Sequence, residues 1–108
     1  MAKWIVFGFS NCTDPNREEE FVEWYKHTRQ ADVMKLPWLK TAKMYKNTSR
    51  SEGEPRYFTI YELETEEIAK TMAEFQDFTK KLDEEGRGSE LFSLVSAGIY
   101  REINFFSK

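Results

Sequence analysis

Arg29 and Asp32 are the first pair in this chain whose types and spacing can do chemistry. Three residues apart, they share one face wherever the segment is helical. An arginine facing a cavity holds a carboxylate or an enolate through two parallel N–H groups. An aspartate beside it orients the guanidinium, or acts as a base if it is desolvated. The competing reading is a structural ion pair closing a helix–strand turn. His27 is the one histidine, and an unperturbed imidazole titrates near neutrality. It is either a proton shuttle or, between Lys26 and Thr28, a helix residue facing solvent. Tyr25, Tyr45, Tyr57, Tyr61 and Tyr100 include phenols able to polarise a ligand carbonyl, and Trp24 and Trp38 can wall an aromatic pocket. Each of these also serves as core packing with its polar tip satisfied. The expected ligand-binding set is Trp24, Tyr25, His27, Trp38, Tyr45 and Tyr61, with Arg29 and Asp32 as the candidate catalytic pair.

Other chemistries find little here. Cys12 is the single cysteine, so no internal disulfide is expected and the fold does not depend on an oxidising compartment. It follows the first strand near a helix start, a place that lowers a thiol pKa, but no base lies near it in sequence. One His and one Cys, fifteen residues apart, do not make a zinc pattern, and an axial haem ligand would have to be His27. There is no glycine-rich phosphate loop, no G-x-S-x-G and no dinucleotide fingerprint. No cofactor and no metal are expected.

The elements that must position these groups read clearly. Lys3–Ser10 is an apolar run of strand type. Asn11–Asn16 reads as a turn, with Asp14 a capping residue and Pro15 suited to a first helical position. Glu18, Glu19 and Glu20 follow where a helix dipole favours acids, and Phe21, Trp24, Tyr25 and Thr28 mark one helical face. Pro37 should end any helical continuation through Asp32–Leu36. Leu39–Lys46 reads as a strand whose three lysines suit a sheet edge. Asn47–Pro55 is a polar loop, and Arg56–Leu63 a second strongly apolar strand. Thr65 can cap a helix with a buried stripe of Ile68, Met72, Phe75, Phe78 and Leu82, stopped by Gly86 or Gly88. Glu90–Val95 reads as a short extra helix, and Ala97–Phe106 as the last strand.

The length, 108 residues, suits one domain over residues 1–108. Three Trp, five Tyr and nine Phe exceed what a minimal core needs; the surplus either lines a cavity, an interface or both, or simply stabilises a small fold. The net charge of −3 argues against a nucleic-acid partner. Between Trp24 and Arg50, however, five Lys and two Arg stand against Asp32 alone. That zone either attracts an anionic substrate or protects a sheet edge. No apolar run is long enough to span a membrane. MAKWIVFGF reads as a first strand, not a signal peptide, and a cytoplasmic location is expected.

The order β-α-β-β-α-β is the ferredoxin-like pattern, an α+β fold with a four-stranded antiparallel sheet and two main helices on one face. WIVFGF and YFTIY, the most apolar strands, should sit at its centre. Both alternating faces are bulky and apolar: Trp4 and Val6 against Ile5, Phe7 and Phe9, and Tyr57 and Tyr61 against Phe58 and Ile60. Two helices cover one face, so the other is a liability on a monomer. A homodimer joined through the sheets is expected.

The stretches TDPNREEEFVEWY, ADVMKLPW, TAKMYK and YFTIYELET resemble the dimeric α+β barrel superfamily, in the flavour of its EthD-like and antibiotic-biosynthesis-monooxygenase-like members. The family stretch often reads WY, three residues, His, two residues, Asp-Val, then Pro-Gly. Trp24, Tyr25, Asp32, Val33 and Pro37 match it. The family's His position is Arg29 here and the Gly after the proline is Trp38, so the resemblance does not carry a histidine base onto this chain. His27 lies two positions earlier, about 200° away around a helix of ~3.6 residues per turn. The resemblance implies a cofactor-independent monooxygenase-, cyclase- or isomerase-like enzyme acting on a small aromatic, polyketide-like or carboxylated compound. The alternative is a non-catalytic ligand-binding or stress-related dimer on the same fold. An RNA-recognition module shares the element order, but Arg56-Tyr57-Phe58 lacks the glycine of its motif.

Overall fold

A computed structural model describes residues 1–49 and 51–108; Arg50, counted above in the basic zone, lies outside the described residues. Strand β1 runs Lys3–Cys12. Asp14 then accepts a hydrogen bond from the Asn16 N–H and caps a 3-10 turn, Pro15–Arg17, with proline at its start. A continuous helical rod follows: α1, Glu18–Trp24, a π turn, Tyr25–Arg29, and α2, Gln30–Val33. Strand β2 is Leu39–Lys46, β3 is Tyr57–Glu64, helix α3 is Ile68–Glu84, and β4 is Phe92–Arg101.

The four strands form one antiparallel sheet in the order β2-β3-β1-β4. The two most apolar strands, β1 and β3, are indeed central. Burial alternates along β3: Tyr57, Thr59, Tyr61 and Leu63 are buried, while Phe58, Ile60, Glu62 and Glu64 are less so. The register sets Trp4 opposite Leu63 and Val6 opposite Tyr61, so these four point toward the helices. Ile5, Phe7 and Phe9 point the other way.

Two packed clusters hold the helices to the sheet. One gathers Val33, Leu36, Leu39, Tyr61, Leu63, Met72 and Leu82, flanked by Trp4, Trp38, Phe75 and Phe78. The stripe read along α3, Ile68 to Leu82, lies entirely in this cluster. The other cluster joins Phe21, Tyr25, Tyr57 and Leu91 with Trp24, Met44 and Phe92. Burying each such aromatic removes roughly 150–250 Å² from water. The Tyr25 and Tyr61 hydroxyls meet at 3.2 Å and link the clusters.

Two irregularities decide which side chains reach the core. Leu39 pairs with Leu63 but Thr41 pairs with Glu62, so Lys40 is an extra residue in β2. The bulge shifts the alternation by one, and Leu39 and Ala42 both pack inward. In β4 the shift falls between the partners of Phe9 and Ser10, Ser96 and Leu94, leaving Val95 unpaired.

The last quarter of the chain differs from expectation. The extra helix expected at Glu90–Val95 does not form: Phe92–Val95 is already β4, which ends at Arg101 and not at Phe106. Pairing with β1, Cys12 opposite Phe92 through Trp4 opposite Arg101, outweighs the weak local helix signal. Gly86 adopts φ 81° just past α3, the left-handed conformation that stops a helix at low cost. Among the described residues, no helix is long and apolar enough to cross a membrane.

Candidate functional site

The π turn is where helix geometry turns toward chemistry. The Gln30 N–H bonds to the Tyr25 carbonyl, five residues back, and such widened turns often occur at functional sites. Trp24, Tyr25 and Arg29 from this stretch face a cavity of about 640 Å³ between the sheet and the helices. That volume falls within the roughly 300–1,000 Å³ of small-molecule sites. Val6, Thr59 and Tyr61 form its floor, Phe75, Thr79 and Asp83 its α3 wall, and Phe92 and Leu94 its β4 end.

Arg29 is the charged centre of this cavity. Its guanidinium lies 5.2 Å from the Trp24 ring centroid, a cation–π contact that orients the fork. Its NH2 group donates to Asp83 Oδ1 at 2.6 Å, and its side chain is only 12% exposed. Its Nε is buried with no hydrogen-bond partner, as is the Oγ1 of Thr59. Tyr61 is buried, and its phenol is pushed well above the ordinary range by burial first, then by the charge and hydrogen bond of Tyr25. The Tyr61 hydroxyl, in contact with that of Tyr25, thus holds its proton within the field of the Arg29 cation.

Asp32 lies elsewhere. It is 3% exposed, but it accepts from the Nε of Arg87 and, at 3.0 Å, from its NH2. Lys35 Nζ stands 3.6 Å away. The hydrogen bonds from Arg87 hold the Asp32 carboxyl below the usual carboxylate range against the opposing effect of burial. Asp32 is therefore paired with Arg87, not with Arg29, and does not line the cavity. The π turn ends at Arg29 and Gln30–Val33 is α-helical, so the i, i+3 spacing survives. It is the partners brought in from α3 and the turn after it, Asp83 and Arg87, that separate the expected pair.

The remaining expected residues are dispersed. Trp24, Tyr25 and Tyr61 line the cavity. His27 points to solvent and meets Glu23 Oε2 at 2.9 Å. Trp38 packs on Phe75 in the core, its indole N–H buried without a partner. Tyr45 lies on the other face of the sheet beside Phe58. Among the described residues, no group of three or more His, Cys, Asp or Glu is placed to hold a metal ion.

No protein-family model matches the chain, and no curated protein matches it. Solved structures do. HapK from Hahella chejuensis superposes with a TM-score of 0.70 at 10% identity, covering 97% of each chain. A Shewanella loihica PV-4 protein, provisionally described as a monooxygenase, gives a TM-score of 0.66 at 11% identity over 97% of this chain and 99% of that one. A protein from an uncultured marine organism, described as dimeric and ferredoxin-like, gives 0.68 at 14% identity over 98% and 100%. The fold is ferredoxin-like. At such identities the likeness speaks for the ferredoxin-like architecture and leaves the chemistry to the residues of this chain.

Several cavity residues of this ferredoxin-like fold carry no sequence signal of their role. Asp83 sits in the run DEEG, which reads as a solvated helix end. Thr59 is one polar residue in an apolar strand, and only its inward register gives it away. Gly88 reads as a helix stop, yet a Cβ there would lie 2.5 Å from Asp83 Oδ1. Phe75 belonged to the expected apolar stripe, and only the structure shows that it also walls the cavity.

Proposed function

We propose that this chain is a small-molecule-handling homodimer, one domain working in the cytoplasm, that takes a small aromatic, polyketide-like or carboxylated compound into the cavity beside Arg29. The observation that carries this reading is a guanidinium with an unpartnered Nε inside an aromatic-walled cavity of about 640 Å³. Trp24, Phe75 and Phe92 offer ring faces and edges. Arg29 and the Tyr25–Tyr61 hydroxyl pair offer cation and donors to a ligand oxygen. Such donors, fixed before the ligand arrives and away from bulk water, stabilise negative charge as it develops on a carbonyl oxygen. That is the common need of cofactor-independent monooxygenase-, cyclase- and isomerase-like reactions, which pass through an enolate or related carbanion.

A second reading, a ligand-binding or stress-related dimer with no reaction, is favoured by one observation. The one acid lining the cavity among the described residues, Asp83, and the expected acid Asp32 are each engaged by an arginine.

The dimer rests on the uncovered face of the sheet. Phe9 stacks on Phe58 at 4.7 Å and Phe7 on Tyr100 at 5.3 Å between ring centroids, forming a continuous aromatic surface that no helix among the described residues covers. A second copy laid against it would bury these rings at ordinary sheet-on-sheet spacing. Dimeric relatives of the same architecture lend support. RNA is not the expected partner, because the same dimer would cover the strands an RNA would need.

Two measurements test the proposal. Sedimentation should give twice the chain mass, and Phe58→Glu should reduce it to one chain mass. Titration with aromatic carbonyl, phenol and carboxylate compounds should quench tryptophan fluorescence in the native protein and lose about tenfold or more in affinity in Arg29→Met. A monomer with an intact aromatic face, or binding indifferent to Arg29, would sink the respective half of the reading.

A further inference from the structure

We infer that Asp83 sets the charge preference of the cavity: by neutralising Arg29 it selects ligands with an uncharged carbonyl or hydroxyl oxygen over carboxylates. The inference rests on the proposed reading of the cavity as a ligand site, and deepens it. Asp83 is the one acid among the described lining residues. Its carboxylate stands at the mouth, 61% exposed, while its partner Arg29 is 12% exposed within. The contact is short, at 2.6 Å, and it is built. Gly88 leaves room for the carboxylate, since a Cβ at that position would come within 2.5 Å of Asp83 Oδ1 and 3.2 Å of its Cγ. The Trp24 ring also holds the guanidinium, 5.2 Å from the ring centroid.

The charge argument follows. A ligand carboxylate seated on Arg29 would meet the Asp83 carboxylate across one shared cation. It must then displace Asp83 or accept the repulsion of two anions drawn close together. An uncharged oxygen faces neither cost. The Nε–H of Arg29 and the hydroxyl of Thr59 are both buried without partners, and a carbonyl or phenol oxygen can satisfy them while Asp83 stays in place. An unmade hydrogen bond at a buried donor is costly, so the free Nε favours a ligand that completes the site without breaking the ion pair.

The test uses two probes of the same ring size, 1-naphthol, uncharged at neutral pH, and 1-naphthoate. Affinities for the whole protein are measured by calorimetry at fixed ionic strength, for wild type, Asp83→Asn and Asp83→Ser. Wild type should bind naphthol more tightly. Both variants should raise naphthoate affinity by about tenfold, the scale of one partly solvated charge contact, and leave naphthol within about threefold. A rank reversal between two equally sized probes is something a merely structural role would not produce. Wild type binding naphthoate as tightly as naphthol overturns the inference. So does an equal change for both probes in the variants. In either case the cavity remains a ligand site. Failure of wild type to bind either probe overturns the inference and the reading it rests on together.

Discussion

The buried carboxylate of Asp32 and the guanidinium of Arg87, 55 residues apart in sequence, form a two-point ion pair. It ties the end of the first helical rod to the turn after α3. The same turn receives the Trp24 indole N–H, which donates to the Arg87 carbonyl at 3.0 Å. Arg87 thus braces the segment that presents Trp24 and Arg29 to the cavity, and its guanidinium does so without entering the cavity itself.

The two ends of this pair are not equivalent. The Arg87 side chain is 46% exposed, that of Asp32 only 4%. Asp32→Asn leaves an arginine that water can re-solvate. Arg87→Ala leaves a buried carboxylate whose remaining cation, Lys35, is 3.6 Å away. An unpaired buried charge is the costlier of the two. Thermal unfolding should show Asp32→Asn losing ~1–3 kcal/mol, or roughly 5–15 °C in Tm, and Arg87→Ala losing more. Equal losses would show that the pair is solvated in solution.

The same pair should appear in acid. The folded-state pKa of Asp32 lies below its ordinary value because of Arg87. The unfolded chain therefore takes up the proton first as pH falls. The stabilisation is complete above the ordinary carboxylate range and is lost as pH drops through the depressed folded value. Denaturant melts from pH 7 down to about 2 should give a shallower loss of stability for Asp32→Asn than for wild type.

At high pH the sign reverses. Burial, with Glu18 beside it, pushes the Tyr57 phenol up to about 12, and its hydroxyl donates to Glu18 Oε1 at 3.2 Å. The unfolded chain releases that proton nearer pH 10, so stability should fall as pH rises from there toward 12. Tyr61 acts in the same direction. Tyr57→Phe should flatten part of the alkaline loss and remove one late-titrating phenol from the ultraviolet titration curve. A Tyr57 that ionises with the model phenol would refute the buried contact.

Gly88→Ala should separate Arg29 from Asp83 without changing any charge. The added methyl would require Asp83 Oδ1 to retreat from 2.5 Å. The ion pair is exposed on the Asp83 side, so little stability should be lost. Arg29 should become freer to take an anion, and naphthoate affinity should rise in the same direction as in Asp83→Asn, by a smaller factor. A crystal structure of the variant with the 2.6 Å contact intact would refute this.

Much of the architecture was legible because it rests on short-range pattern. The alternation of WIVFGF and YFTIY placed both strands at the centre of the sheet, since only buried strands tolerate bulk on both faces. The 68–82 stripe needed only helical period, and Asp14-Pro15 and Gly86 marked ends through local backbone chemistry. Trp24, Tyr25 and Arg29 came from one contiguous stretch, so their proximity could be expected from spacing alone. Glu90–Val95 failed as a helix because its pairing partner, the end of β1, lies some eighty residues earlier in the chain (Cys12 opposite Phe92), beyond any local window.

What the tertiary structure alone decided follows from the same distinction. Asp32 and Arg29 are near neighbours on helical backbone, yet Asp83 and Arg87, more than fifty residues away in sequence, give them different partners. Asp83 and Gly88 acquire meaning only because α3 folds back against the first helical rod. Lys40 drops out of the pairing only when β2 meets β3. Local sequence fixes periodicity and turn chemistry, because those depend on bonds a few residues long. Which charge meets which depends on how whole elements pack, and for this protein that packing chose Asp83 for Arg29 and Arg87 for Asp32.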